Sequence, residues 1–466
     1  MGDILLNLRT ASYKNDTMKG KELNREQNER IQYHVFKRRR LRRVGISHSI
    51  PIHSFNQRGT IRKSFSIFLR ELEKRGYIHE HFVRDRIVIP QNFSFKENYD
   101  GSIIVFKEYL SSFIFGKGDV ILDFSKCKNT DVANFSFLHV CTKEMHMYRD
   151  RYNISLFHKV SKWIKCIASV SDGRTNRYLN AFGYQDLDEK FRDGTQFLPL
   201  NLIVGKGKSN YKENSKSIAC KKVGDFINKS GEPFDVGLTH DSRNALEGFI
   251  SEVLNNAEDH SLKNSEWYIN GISFNFSKDN TEVVEVNLAI INIGLSMYDG
   301  FEETKDLNKR IYDKLEELYN VHKSQFGFGH RFEREQLFML YMLNEGISRL
   351  KYEDKSRGNG TMNFIDSFIS LGAFGLENPK FPPRLNVISG HCVLTCDNKY
   401  RPFKKKSFRQ ISLNKEEDIK KLPDQKYIKI GTQNFPGTIL EAKIYLNKDF
   451  ILKQIENLEH ENNTTS

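Results

Sequence analysis

The segment Ser251–Ser261, SEVLNNAEDHS, has the spacing of a helix with one polar face. Glu252, Asn256 and Asp259 stand at i, i+4 and i+7, so a helix brings them together, while neighbours such as Val253 can cover the core side. A polar helix face is most often only solvated. However, an amide oxygen beside a carboxylate suits a hard cation such as Mg²⁺, and a carboxylate one turn away can accept a proton from an attacking water. The pattern therefore raises the hypothesis of nucleotide hydrolysis.

Three further patterns follow this segment along the chain. The strand-like VVEVNLAIIN leads into NIGLS, residues 292–296, where a glycine lets the backbone come close to a ligand. SRGNGT, residues 356–361, opens an apolar helical segment whose N-terminal amides could hold phosphates. FPGTILEAKIYL, residues 435–446, supplies a Gly-Thr pair and another apolar strand. The order of these patterns is more informative than any one of them.

Together the patterns resemble the GHKL superfamily, the ATP-binding fold shared by gyrase, mismatch-repair ATPases, heat-shock ATPases and histidine kinases. The resemblance covers roughly residues 242–449. It implies an α/β sandwich of the Bergerat type that binds ATP and Mg²⁺, with Glu252 as the catalytic base and Asn256 as a metal ligand. The nucleotide contacts that it implies are Asn256, Asp259, Asn292, Gly294, Ser296, Lys355, Arg357, Gly358, Gly360, Thr361 and Thr438.

Asn292 and Ser296 depart from the family pattern. Asn292 stands in place of the adenine-reading Asp, and Ser296 stands where a glycine is usual. An Asn carbonyl can still accept a hydrogen bond from the adenine amino group, but a neutral acceptor binds less strongly than a charged one. The base preference is therefore open.

The residue four positions before Asn256 bears on the class of enzyme. Kinases of the superfamily commonly have Asn there and hydrolases have Glu, as at Glu252. His240 lies only twelve residues before Glu252, too close to be a phosphoacceptor on a separate hairpin. We therefore expect a Mg-dependent ATPase that acts as a conformational switch, in which lid closure repositions the N-terminal part. A protein client and an ATP-dependent homodimer are partners to test, and the alternative is a non-hydrolysing regulatory binding module of STAS and kinase-like type.

The rest of the chain divides by composition. Residues 61–200 predict a smaller α/β domain, because GDVILDFSKCKNTDVANFSFLHVC at 118–141 indicates a strand, a polar turn and a helix, a layout that resembles a STAS-type domain. Residues 201–232, rich in Lys, Ser, Asn and Gly, predict a linker or long loop. Their GKGKS is not a P-loop, since position 202 is Leu where that motif needs Gly. Residues 233–450 predict the ATP-binding domain with a nucleotide lid at 300–357, and 451–466 a polar tail.

The net charge of +13 is unevenly distributed. Residues 1–60, the basic arm, hold thirteen Lys or Arg and five Asp or Glu, a net +8. KRRRLRR at Lys37–Arg43 predicts salt-dependent contacts with nucleic-acid phosphates, although docking on an acidic partner or simple solvation explains the run equally well.

The composition also predicts the compartment. No signal peptide and no apolar run of membrane-spanning length are visible. The six cysteines form no CxxC pair and predict a reducing, cytoplasmic location. HCVLTC at residues 391–396 predicts a buried strand rather than a zinc site.

Overall fold

The computed structural model describes residues 61–156, 163–169, 172–184, 196–206, 215–234, 237–260, 266–278, 281–327, 331–344, 347, 365, 381–405 and 408–447. The chain divides into two compact units, Met1–Lys63 and Ser64–Ser466. Every helix and strand named below belongs to the second unit, so residues on both sides of the predicted boundary near position 200 share one compact body. The predicted basic arm and polar tail lie outside the described residues.

The N-terminal module, residues 64–184, is a small α/β unit. Its strands are Arg86–Val88 (β1), Asn92–Phe93 (β2), Val120–Asp123 (β3), Asn129–Thr130 (β4) and Ile164–Ile167 (β5), and its helices are Ile67–Lys74 (α1), Tyr99–Phe115 (α2), Val132–Leu156 (α3) and Gly173–Ala181 (α4). β1, β3 and β5 form a parallel sheet in that order, and β2 pairs in parallel with β4. Parallel strands require crossover connections, which the helices provide. Stacked rings fill the interior. The ring centroid of Phe135 lies 5.6 Å from that of Phe124 and 5.0 Å from that of Tyr178.

A second, larger sheet forms the centre of the unit. Its strands are Gln196–Lys206 (β6), Glu266–Lys278 (β7), Thr281–Ile293 (β8), Arg384–Asp397 (β9) and Ile428–Asn447 (β12), and a separate two-stranded hairpin consists of Phe403–Lys405 (β10) and Phe408–Gln410 (β11). The large sheet has the order β6-β7-β8-β12-β9, and all neighbouring strands are antiparallel. Val283 and Val284, which alternate between the two faces of β8, are both buried, so the central strand is covered on both sides.

One face of the large sheet is covered by five helices: Ser215–Gly231 (α5), His240–His260 (α6), Met297–Glu303 (α7), Lys309–Lys323 (α8) and Arg334–Met342 (α9). Val286 and Leu288 of β8 belong to the hydrophobic core that these helices share, and we call this side the α6 face. Glu285 and Asn287 alternate with them and point to the opposite side, the module face, where Arg174 of α4 reaches Glu285. The predicted α/β class is confirmed.

The predicted linker at 201–232 is wrong for the residues that the structure describes there. Residues 201–206 are the end of β6, and 215–231 form α5. Ala219, Val223 and Ile227 of α5 are buried in the core of the α6 face. These residues recur every four positions, which is a helical stripe, but the many lysines and serines of the segment gave it the average composition of a loop.

The range predicted as a lid, residues 300–357, contains a buried helix. α9 is a core helix, because its residues from Gln336 to Met342 are all buried. A run that is apolar all round indicates a buried helix, and the seven buried positions of α9 agree with that rule. Residues 348–357 of the predicted lid lie outside the described part of the chain. Among the helices that the structure describes, none combines the length and the apolar composition needed to cross a membrane.

Candidate functional site

Helix α6 buries one face and leaves the predicted catalytic flank open. Leu246, Ile250 and Leu254 recur at four-residue spacing and lie in the core. Glu252 and Asn256, one turn apart, are half-buried on the neighbouring flank. Within the described part of the chain, neither side chain has a hydrogen-bond or ion-pair partner. The backbone of Asp259 continues the helix, whereas its side chain lies outside the described part.

The opposite flank of α6 is occupied by α5. Lys216 Nζ lies 3.0 Å from Glu258 Oε2 and donates to Asn255 Oδ1 at 2.7 Å. Trp267 Nε1 of β7 also donates to Glu258, at 3.3 Å. Glu258 follows Asn256 by two residues. Because each residue of a helix is rotated by about 100°, the two side chains lie on opposite sides of α6. Asn256 therefore points away from α5, toward the space above the β8–β12–β9 half of the sheet.

A row of four register partners crosses the sheet at this level. Trp267 of β7 lies opposite Asn292 of β8, Asn292 lies opposite Thr438 of β12, and Thr438 lies opposite Ser389 of β9. Asn292 follows Leu288 and Ile290 at two-residue spacing, and these two lie in the core of the α6 face. The row is therefore on the same face as α6.

The polar members of this row differ in how they are bonded. Ser389 Oγ and Thr438 Oγ1 are 2.9 Å apart, and Ser389 Oγ also donates to the Gly437 carbonyl at 3.0 Å. Asn292 is buried, yet its amide makes no side-chain hydrogen bond to any described residue. Since buried amides are normally bonded, the Asn292 amide is a candidate for contact with a ligand. The structure thus brings the predicted contacts Asn292 and Thr438 together as direct neighbours.

Glycines at the end of this row allow the backbones to approach closely. Gly437 has φ +141°, and a Cβ added there would lie 2.1 Å from the Asn292 carbonyl oxygen. The Gly294 amide donates to the Pro436 carbonyl at 3.2 Å. Only glycine combines this φ with this contact. The predicted glycine Gly294 therefore joins the end of β8 to β12, and Gly437 keeps Thr438 beside Asn292.

Ser296 has a local structural role. Its Oγ accepts a hydrogen bond from the Asp299 amide at 3.0 Å and caps the first turn of α7. The side chain is buried. The sequence placed Ser296 in a glycine-rich box, but its spacing to Asp299 is equally that of a helix cap. A nucleotide contact from Ser296 stays a prediction.

The N-terminal module reaches the loop after β8, which the sequence did not predict. Arg75 Nη2 donates to the Gly294 carbonyl at 3.5 Å, and Arg75 Nη1 lies 3.4 Å from Asp299 Oδ2. Glu71 Oε1 holds the same guanidinium from the other side, at 3.3 Å. Because these contacts join residues more than two hundred positions apart, no local pattern could reveal them.

The module also holds the start of β12. Tyr99 Oη accepts from the Phe435 amide at 3.1 Å and donates to the Gly390 carbonyl. Tyr77 Oη donates to the Asn434 carbonyl at 2.7 Å. Burial raises the pKa of both phenols well above its usual range, so both remain protonated donors. The strand that carries Thr438 is therefore fixed to the module.

His391 and Glu335 close the β9 side of the site. His391 Nδ1 lies 2.9 Å from Glu335 Oε2, and the His391 amide donates to Glu335 Oε1 at 2.8 Å. The Glu335 hydrogen bond raises the pKa of His391 above its usual value. Cys392 and Cys396 are buried in β9. Among the described residues, no three His, Cys, Asp or Glu side chains are placed to hold a metal ion.

The remaining predicted residues cannot be placed, because they lie outside the described residues: Lys37–Arg43, Lys355, Arg357, Gly358, Gly360 and Thr361. No protein-family model, no curated protein and no solved structure matches this chain. What the geometry offers is a buried amide and a hydroxyl on the floor of the sheet, with a carboxylate and an amide on the helix flank above that bond to no described side chain. Such groups can bind a polar ring below and a cation with its phosphates above.

Proposed function

We propose that this chain binds Mg·ATP on the α6 face and hydrolyses it slowly as a member of the GHKL superfamily, with a Bergerat-type sandwich formed by the large sheet and its helices. The observation that carries the proposal is the pairing of Asn292 with Thr438, both predicted nucleotide contacts, on the face toward which Asn256 turns. These residues are far apart in sequence and were assigned from separate patterns. Their meeting at one register position supports the nucleotide hypothesis.

Each polar group has a role in this proposal. The Asn292 carbonyl accepts a hydrogen bond from the base, assisted by the Thr438 hydroxyl. The Asn256 side-chain oxygen would hold Mg²⁺, which would supply positive charge for the phosphates. Glu252, one turn earlier on α6, accepts the proton of the attacking water. A metal that takes a single protein ligand, with water and phosphate for the rest, needs no cluster of protein carboxylates.

The contacts of Arg75 support a switch rather than a simple hydrolase. Arg75 bonds to Gly294 and Asp299, directly beside the proposed base site. A ligand that moves the loop after β8 would therefore change contacts with the N-terminal module. A protein client, an ATP-dependent homodimer, nucleic acid at Lys37–Arg43 and a cytoplasmic location remain parts of this proposal, as does the STAS-like character of the module.

The test separates binding from turnover with two substitutions on one helix. Glu252→Ala should keep Mg·ATP affinity and lose about 10²- to 10⁴-fold in phosphate release, the usual contribution of a general base. Asn256→Ala should lose Mg-dependent affinity. Calorimetry and phosphate release are measured on the same preparations. The matched control is Asn255→Ala, since Asn255 bonds to Lys216 on the α5 side and should affect neither quantity.

Four outcomes would contradict the proposal in part or as a whole. Unchanged ATP affinity in a folded Asn256→Ala protein removes this residue from the metal site. Full turnover in Glu252→Ala removes the proposed base. If the wild type binds ATP and never releases phosphate, the chain is the non-hydrolysing regulatory module, and if it binds no nucleotide the proposal fails.

A further inference from the structure

A second basic segment lies in the body of the protein, far from the basic arm in sequence. Residues 399–429 hold eleven Lys or Arg and four Asp or Glu, so their net charge is 11 − 4 = +7. With +8 in residues 1–60, the rest of the chain has a net charge of 13 − 8 − 7 = −2. The excess positive charge of the protein is therefore confined to two segments. A slightly acidic body with one basic surface attracts polyanions to that surface.

The β10–β11 hairpin presents an aromatic ring within this charge. Phe408 is 52% exposed, and in the described residues only Trp163 is a more exposed aromatic side chain. Phe408 lies directly opposite Lys405, and Lys404 lies opposite Arg409. Lys404 is exposed and has no ion-pair partner among the described residues. A half-exposed ring between cations offers a face on which a planar base can stack.

The base of the hairpin is rigid. Ile411, directly after β11, is fully buried, and its amide donates to Asn344 Oδ1 at 2.8 Å. Lys405 Nζ lies 3.4 Å from Asp418 Oδ1, which places the hairpin beside the loop that carries the exposed Lys420 and Lys421. The Lys405–Asp418 pair is solvent-exposed and weak, so a phosphate can replace Asp418. The hairpin is thus anchored at its base, and the exposed ring and lysines lie on one side of that anchor.

We infer that the β10–β11 hairpin is a contact surface for single-stranded nucleic acid, with a base stacked on Phe408 and phosphates bound by Lys404, Lys405 and the 420–421 lysines. Single-stranded binders combine a positive surface with aromatic rings, because every base has a face that can stack. A membrane surface would need a larger apolar insertion than one ring. An acidic protein would use the charges but has no general need for the ring. The inference does not depend on ATP binding.

The test uses the full-length protein and a fluorescently labelled 20-nucleotide single strand, with affinity measured by anisotropy at several salt concentrations. Lys404→Ser with Lys405→Ser should lower the slope of log affinity against log salt by about 1.4, since each phosphate contact on a single strand contributes about 0.7. Phe408→Ala should leave this slope unchanged and weaken binding about 5- to 150-fold, the range for one lost base stack.

Matched controls come from the region around α8. Lys305 and Lys314 are also exposed lysines, and Leu307 is 61% exposed, so Lys305→Ser with Lys314→Ser, and Leu307→Ala, should change nothing. Each measurement is repeated in a protein whose Lys37–Arg43 basic residues are Ser, so that the arm does not mask the hairpin. Circular dichroism confirms that each variant is folded.

Several results would overturn the inference. If both hairpin variants bind like the wild type in the arm-substituted protein, the hairpin is not an interface. If the hairpin variants lose binding to vesicles of anionic phospholipid and the wild type binds no nucleic acid, the surface is a membrane site. If duplex and single strand bind equally and Phe408→Ala has no effect, only the charge acts and the stacking role is wrong.

Discussion

The ion pairs of Glu285 should be among the most important polar contacts on the face of the large sheet that meets the N-terminal module. Glu285 is 3% exposed in the middle of β8. Arg174 Nη2 of α4 lies 2.8 Å from its Oε2, and Lys443 Nζ of β12 lies 3.0 Å from its Oε1. Asn287 Nδ2 also donates to Oε1, at 3.0 Å. Glu285→Gln keeps the shape of the side chain and removes the charge that both cations share.

The magnitude follows from the pKa of Glu285. Burial alone would raise this pKa, but Lys443 and Arg174 lower it from 4.5 to about 2. A difference of this size corresponds to about 3 kcal/mol of stability at neutral pH. Breaking a buried ion pair by removing one partner typically costs about 3–5 kcal/mol, because the remaining charge stays buried. We therefore expect Glu285→Gln to lower the free energy of unfolding by about 3 kcal/mol at pH 7.

Urea unfolding at a series of pH values measures this effect. The native pKa of Glu285 is lower than the unfolded one, so its stabilisation is complete above about pH 4.5 and is lost as the pH falls toward about 2. The wild type should lose this part of its stability over that range, and Glu285→Gln should not. The difference in free energy of unfolding between the wild type and Glu285→Gln should therefore become smaller as the pH falls.

Two further variants make the test decisive. Glu282→Gln changes an exposed carboxylate on the same strand and should alter stability by less than about 0.5 kcal/mol. Replacing Arg174, Glu285 and Lys443 together by Met should recover most of the loss, since a buried ion pair exchanged for apolar packing is often close to neutral. If Glu285→Gln destabilises no more than Glu282→Gln at pH 7, the ion pairs of Glu285 do not stabilise the fold.

Two other substitutions test the backbone and the buried acids. Gly437→Ala should lower the free energy of unfolding, measured with urea, by about 1–3 kcal/mol, because the added Cβ would lie 2.1 Å from the Asn292 carbonyl oxygen. The control is Gly248→Ala in α6, where an added Cβ meets no atom within 4 Å. This control should stabilise the protein by about 0.5–1 kcal/mol. Asp131→Asn should stabilise the protein above about pH 4, because burial and then Glu441 raise the pKa of Asp131. Between the unfolded and native pKa values the acid ionises only in the unfolded state, which favours unfolding of the wild type. The gain from Asp131→Asn, measured by unfolding at several pH values, should therefore grow by about 1.4 kcal/mol per pH unit up to the native pKa, and a gain that is constant with pH would contradict the argument.

The parts of the fold that the sequence predicted are those with strong local patterns. The run VVEVNLAIIN predicted β8. The i, i+4, i+7 spacing of the polar residues in SEVLNNAEDHS predicted the helix α6 and its polar flank. The strand and helix of residues 118–141 correspond to β3 and the start of α3. Each of these segments is defined by periodicity within about ten residues, so no long-range information was needed.

The remaining features depend on contacts between distant residues. Asn292 and Thr438 could be assigned from motifs, but their meeting depends on the β8–β12 register, which a single sequence does not reveal. The contact of Arg75 with Gly294 joins two segments 219 residues apart. α5 was missed because its buried stripe of Ala219, Val223 and Ile227 is short and lies among lysines and serines.

The packing of the module changes how a nucleotide switch in this chain should work. The sequence suggested that lid closure repositions the N-terminal part across a linker, but that segment is β6 and α5, and the module is fixed to the sheet by aromatic contacts. The ring centroid of Phe435 in β12 lies 5.7 Å from that of Phe95 and 5.0 Å from that of Phe137. The ring centroids of Tyr178 and Phe274 of β7 are 5.5 Å apart. Moving the module as a rigid body would expose these rings together with the buried Glu285, at a cost well above the few kcal/mol that a ligand supplies.

Each central strand, however, contributes to both faces of the sheet. β8 carries Asn292 toward the proposed base site and Glu285 toward the module, and β12 carries Thr438 and Lys443 in the same way. Packed strands move together with their neighbours, so a small shift of either strand on nucleotide binding would be felt on the module face. The mechanism with the lower free-energy cost is therefore a local change in the loop held by Arg75. This change is transmitted through β8 and β12 while the module stays docked. Hydrogen exchange with and without Mg·ATP decides between the two mechanisms. Protection confined to residues 292–300 and the start of β12 fits the local change, and ATP-dependent exposure of the Phe95 and Phe137 backbone would require the module to undock.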